Sequence, residues 1–241
     1  MVVCALPRFS RPEISEVISM NYIKKGLKWC VANPHTWAML YLVFYLITFF
    51  TLDNVLKPKY IIYSPIDDLI PFCEYFILPY STWFMVFPAA LVYFMIKDKT
   101  EFQDLWFIMF TGMNLSFLIN VLFPTGLDLR TDLPNRNICA ALVNAIRAAD
   151  DPVMVCPSIH CSSCSAIIIV AVKSKCLKGH LPLRITMIAM NSLIIISTLF
   201  VKQHSIIDVF CGVGVSIILA IICYHTPWRE GVKKTVLKPI I

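Results

Sequence analysis

The chain has 241 residues, 58% of them apolar, with a mean hydropathy of +0.73 and a formal net charge of +6. Soluble domains use roughly 45–50% apolar residues, so this composition excludes a water-soluble globule and makes the bilayer the solvent. The positive charge brings no basic helix or aromatic platform with it, which argues against a nucleic-acid partner.

The first nineteen residues carry Pro7, Arg8, Arg11 and Pro12 and lack the apolar core of about 7–15 residues of a secretory signal. Residues 1–28 therefore read as a disordered cytoplasmic tail, with Met20 as a second plausible translation start. A spanning helix needs about 17–25 apolar residues, and charge-free runs lie near 33–52, 75–96, 105–123, 158–172, 185–201 and 206–224. The expectation is an all-α integral membrane bundle of six transmembrane helices over residues 29–225, one domain, followed by a cytoplasmic tail over 226–241. The fourth run is the weakest, because Ser158, His160, Ser162, Ser163 and Ser165 make its first turns polar, as a helix lining an aqueous site would be.

Basic residues favour the cytoplasmic side of a membrane protein. With the N-terminus inside, 15 of the 21 lysines and arginines fall on that side, which predicts an N-in, C-in topology. Between the first two spans, Ser64-Pro-Ile-Asp67-Asp68-Leu-Ile-Pro71-Phe72 suits a short interfacial or re-entrant segment, and its aspartates read as solvated loop residues rather than substrate contacts. Gly212 and Gly214, in the last span, predict close approach of a neighbouring helix.

Ten cysteines raise a metal or disulfide reading. Cys156, His160, Cys161 and Cys164 have ligand-like spacing, but the run sits where a span begins and no second Cys/His pair completes a zinc pattern. No metal and no cofactor are expected. A Cys139–Cys156 bridge in the outer loop stays open at this level.

Three polar islands interrupt the apolar runs. Arg130 follows the third span, Ser158 and His160 open the fourth, and Lys202, His204 and Asp208 lie across the fifth-to-sixth turn. The alternation of spans brings all three to the non-cytoplasmic side. His204 and Asp208 are four residues apart, a spacing that puts both on one helical face, where the carboxylate holds one imidazole nitrogen and leaves the other free to attack. Two imidazoles, a hydroxyl and two cations make a poor metal site and a good phosphate-ester site. Arg130 and Lys202 would neutralise phosphoryl oxygens, and Ser158 with nearby helix N-terminal amides would add donors. One histidine would attack phosphorus while the other protonates the departing alkoxide.

Pro157-Ser158-Ile159-His160 resembles the second motif, Pro-Ser-Gly-His, of the type 2 phosphatidic acid phosphatase superfamily. Ser197-Thr-Leu-Phe-Val-Lys-Gln-His204-Ser-Ile-Ile-Asp208 is similar to its third, Ser-Arg-x5-His-x3-Asp, and Phe123-Pro124-Thr125 through Arg130 resembles a divergent first motif. The resemblance covers roughly residues 33–224. It implies His204 as the nucleophile of a phosphohistidine intermediate, Asp208 as its orienting carboxylate, His160 as general acid, and Ser158 and Arg130 as phosphate ligands, with no metal. The chain departs from the pattern at Thr198, where the family has arginine; at Phe123, where it has lysine; at Thr131, where it has proline; and at Ile159, where it has glycine. Lys202 is the candidate substitute cation.

The implied activity is hydrolysis of a phosphomonoester or diphosphate lipid at the outer face of the plasma membrane, with phosphorylated lipid and membrane lipids as partners. A lipid headgroup phosphotransferase, similar to the sphingomyelin and inositol phosphorylceramide synthases, is the nearest alternative. A non-catalytic phospholipid-binding membrane protein is the alternative from another class.

Overall fold

The computed structural model of the chain describes residues 24–235 and 238. The expected tail falls largely on residues 1–23, outside the described residues. A 3-10 turn, Pro34–Met39, leads into α1 (Leu40–Val55). The connection that follows contains β1 (Tyr60–Ile62) and the short α2 (Pro65–Leu69). Two long helices follow, α3 (Ile77–Lys97) and α4 (Lys99–Leu122), then β2 (Thr125–Leu127), α5 (Ile138–Ala149), α6 (Ile159–Lys173), α7 (Leu181–Phe200), α8 (Ile206–His225) and the terminal α9 (Trp228–Val232).

The protein is mostly helical, and among the described residues five helices are long and apolar enough to cross a membrane: Pro34–Val55, Glu74–Lys97, Lys99–Leu122, Leu181–Phe200 and Ile206–His225. The expected six-span bundle is thus met in five of its members. The fourth run becomes α6, which has 15 residues, about 22 Å at 1.5 Å per residue and short of the roughly 30 Å hydrocarbon core. It is the central helix of the fold, packed on α7, α8 and α4 and buried at nearly every position from Ile159 to Ala171.

Its serines do not line water. Trp83 Nε1 donates to Ser163 Oγ at 2.9 Å, Ser216 Oγ donates to the Ser162 carbonyl at 2.7 Å, and Ser162 is 1% exposed. Small hydroxyl residues let helices approach closely and supply the polar links between them in a lipid solvent. Polarity read as exposure was in fact packing.

The third span starts earlier than its charge-free run, because Asp98 caps α4 by accepting from the Glu101 N–H at 2.9 Å. The charges this admits are paired. Glu101 accepts from Ser174 Oγ at 2.5 Å and from the Lys175 N–H at 2.6 Å, closing the C-terminal end of α6, and Asp104 forms an ion pair with Arg229. Buried carboxylates persist in apolar surroundings only when satisfied in this way.

The all-α expectation needs one correction. In the connections between the long helices β1 and β2 pair in parallel, Tyr60 opposite Thr125 and Ile62 opposite Leu127, and Gly126 bridges to Val153. These residues lie beyond the helix ends, where backbone groups need partners of their own. A Cβ on Gly126 would lie 2.4 Å from the Pro58 side chain, so this crossing requires glycine.

Candidate active site

The site forms where the N-terminal ends of α6 and α8 meet. Asp208 is fully buried in the first turn of α8, and its backbone carbonyl accepts from the Ser158 N–H at 3.2 Å, joining the two helix starts. Gly212, one turn on, makes this approach possible: a Cβ there would sit 2.5 Å from the Ser158 carbonyl oxygen and 3.2 Å from Cys161 Cβ. Gly214 meets nothing within 4 Å, so close packing is served by one of the two glycines expected to serve it.

His204 lies in the turn just before α8, not on the helix, because Ser205 is the cap and accepts from the Ile207 N–H at 3.2 Å. The i to i+4 relation still holds. His204 Nδ1 and Asp208 Oδ2 are 2.8 Å apart. His204 Nε2 lies 3.3 Å from His160 Nδ1, with ring centroids 5.5 Å apart. With Asp208 accepting, Nδ1 of His204 carries the proton and Nε2 keeps the lone pair, which accepts from His160 Nδ1–H. His160 Nε2 is then the unprotonated nitrogen, buried and without a partner. The His160 ring is flanked by Trp83 at 4.3 Å and Tyr80 at 5.0 Å between centroids.

The two imidazoles are therefore neighbours around one point, as the three-island reading requires. In this arrangement they touch, and 3.3 Å holds a shared hydrogen but not a phosphorus atom. A substrate attacked by His204 Nε2 must first displace His160 from that contact.

Arg130 comes to the same region. Its Nη2 donates to Gln203 Oε1 at 2.5 Å and its Nη1 to the Asp150 carbonyl at 2.8 Å. Burial lowers its pKa from the usual guanidinium value, opposed by the charge of Asp150. Ser158 is fully buried, and its hydroxyl caps α6 by accepting from the Cys161 N–H at 3.2 Å. Lys202 is turned elsewhere: its Nζ donates to the Asp67 carbonyl at 2.5 Å. Thus His204, Asp208, His160 and Arg130 converge, Ser158 is adjacent as a cap, and Lys202 braces the turn.

Four residues here were not singled out from the sequence as site residues. Asp67, read as a solvated loop residue, is 2% exposed and accepts from Ser205 Oγ at 2.6 Å, the Ile206 N–H at 2.8 Å and the Ser64 N–H at 2.8 Å. That correction has a physical cause: its carboxylate also closes the capping box of α2, so one side chain ties two helix starts together. Gln203 carries the contact to Arg130. Arg147 comes from α5, whose amphipathic spacing of Cys139, Leu142, Val143 and Ile146 after the Asn137 cap was a usable signal. Asp150 lies beside His160 in an apolar cavity of about 330 Å³, walled by Tyr45, Phe49, Trp83, Phe84 and Phe87. Burial pushes the Asp150 carboxyl up to about 6 against the opposing pull of Arg130.

Cys139 and Cys156 are both free thiols. Among the described residues no group of three or more His, Cys, Asp or Glu side chains is arranged to hold a metal ion. Compared with protein-family models, with curated proteins and with solved structures, the chain matches none.

Proposed function

We propose that the protein is a membrane lipid phosphatase that removes a phosphoryl group from a phosphomonoester or diphosphate lipid through a phosphohistidine intermediate. The observation that carries this reading is the hydrogen-bonded series Asp208, His204, His160, assembled from two helix starts at the end of an aromatic-walled cavity. A carboxylate-oriented imidazole is a nucleophile, a second imidazole beside it is an acid, and an apolar cavity that reaches the second receives hydrocarbon.

His204 Nε2 attacks phosphorus, the bond from phosphorus to the leaving oxygen breaks, and His160, as the imidazolium formed when the substrate enters and separates the two rings, delivers a proton to that oxygen and becomes neutral. Asp208 stabilises the His204 imidazolium as it gains charge. Water then attacks phosphorus as neutral His160 takes its proton, the phosphorus–nitrogen bond breaks, phosphate leaves, and both histidines return to their starting forms. Arg130 neutralises the non-bridging oxygens, whose charge is worth more to a donor in a low-dielectric site than in water. A position at the outer face of the plasma membrane, with both termini cytoplasmic, accords with the basic residues of the opposite loops.

The test is phosphate release from short-chain phosphatidate, isoprenyl diphosphate, phosphatidylglycerol phosphate and sphingoid phosphate in detergent. Wild-type protein is expected to release phosphate from at least one. His204→Ala is expected to lower kcat by about 10³-fold or more, and Asp208→Asn by about 10²–10⁴-fold. Wild-type rates in either variant at matched protein levels contradict the mechanism.

A further inference from the structure

We propose that Arg147 and Gln203 join Arg130 as phosphate-binding residues, so that an arginine pair built from the outer loop and α5 holds the phosphate group the histidines act on. This rests on the reading of the site as phosphoryl-transferring, and it assigns roles to two residues that reading does not need.

Three observations converge. First, among the described residues the guanidiniums of Arg130 and Arg147 have no acid partner within ion-pair distance. Arg130 is held by the Asp150 and Arg147 carbonyls and by Gln203, and Arg147 by the Thr131 carbonyl at 2.8 Å, the Val201 carbonyl at 3.4 Å and the face of Phe72. Each cation is positioned by neutral groups and makes no direct ion pair. Burial lowers the pKa of Arg147, and the charge of Arg130 lowers it further, so the two repel. Asp150, Asp151 and Asp53 act on Arg130 only at longer range.

Second, the cluster has donors without acceptors. Arg130 Nε, Arg147 Nε and Gln203 Nε2 are all buried and unpartnered. Unsatisfied buried donors are rare and ask for an explanation. A set made only of donors, two of them on cations, is complementary to a ligand that only accepts, which is an oxyanion. Third, Arg130 and Arg147 line an open hollow of about 540 Å³ with Thr131, Asp132, Pro134 and Asn144. Gln203 adjoins His204 in the chain, and the Val201 carbonyl that holds Arg147 lies three residues before it. The two arginines of the hollow are thus hydrogen-bonded to the turn that carries His204.

Arg147 takes the role of second cation that the sequence reading gave to Lys202. Lys202 was the sequence candidate, but its ammonium is engaged by Asp67.

Two titrations test the assignment on full-length protein in detergent. One measures Kd for inorganic phosphate by calorimetry, and the other measures KM and kcat for dioctanoyl phosphatidate. Arg147→Ala and Gln203→Leu are expected to weaken phosphate binding about 10-fold or more and to raise KM more than they lower kcat, with Arg147→Lys intermediate because it keeps the charge and loses the fork. Losses in both titrations identify the lipid headgroup as the ligand; a loss for inorganic phosphate alone identifies the released product. Unchanged Kd and KM in Arg147→Ala and Arg147→Lys, with melting temperatures preserved, overturn the inference and leave the phosphatase reading standing. Phosphate binding that depends on Arg147, in a protein that turns over no lipid, overturns the phosphatase reading instead.

Discussion

At the scale of single residues, the position of His204, the proposed nucleophile, depends on a carboxylate from far along the chain. Asp67 receives three hydrogen bonds, two of them from Ser205 and Ile206, which flank the start of α8, and its carbonyl receives Lys202. Lys202 itself has φ 55°, a left-handed conformation that a non-glycine residue holds only when its surroundings enforce it. Asparagine at position 67 offers one acceptor oxygen where two are used. Asp67→Asn is expected to cost about 1–3 kcal/mol, a loss of about 2–12 °C in Tm for a chain of this size, and to lower kcat more than it raises KM. An unchanged thermal melt and unchanged kcat would show that the turn holds itself. The contact series of Asp208, His204 and His160 was legible from residue types and spacing: two histidines and an aspartate in apolar runs are expensive, and their placement at alternate span ends predicted convergence. Asp67 was not legible, because an acidic residue in a proline-containing loop has the same local sequence whether it faces water or clamps a turn.

At the scale of elements, α6 and α8 meet so closely that one hydrogen atom decides the fit. Gly212→Ala places a methyl against the Ser158 carbonyl at 2.5 Å, a contact that forces the helix starts apart at about 1–3 kcal/mol and strains the link between Ser158 and Asp208. Gly214→Ala meets open space and is expected to be neutral or stabilising by about 0.5–1 kcal/mol. Thermal melts of the two variants, with phosphate release measured alongside, should separate them clearly; equal behaviour would mean that this helix contact is not tight. Five of the six apolar runs became long helices because length and hydropathy suffice to identify an element surrounded by lipid. The sixth and α5 needed more. α6 is enclosed by protein, so its serines carry no information about exposure, and α5 has 12 residues, too few for a search tuned to spans. The small parallel pairing of β1 and β2 was invisible for another reason: it joins segments more than sixty residues apart, and neither is long enough to show alternation.

At the scale of the whole molecule, the fold brings two unlike surfaces to one turn. An aromatic cavity reaches His160 from the side of α1 and α3, and a polar hollow carries Arg130 and Arg147, which hydrogen-bond to Gln203 and the Val201 carbonyl in the turn that holds His204. A lipid phosphate joins those two chemistries by one ester. The most direct measurement is rapid quench of the full-length protein turning over phosphatidate labelled in its phosphate. The account predicts an acid-labile, base-stable adduct on the chain within the first turnover, located at His204 by peptide mapping and lost in His204→Ala. Turnover without any such adduct, or an adduct on another residue, contradicts it.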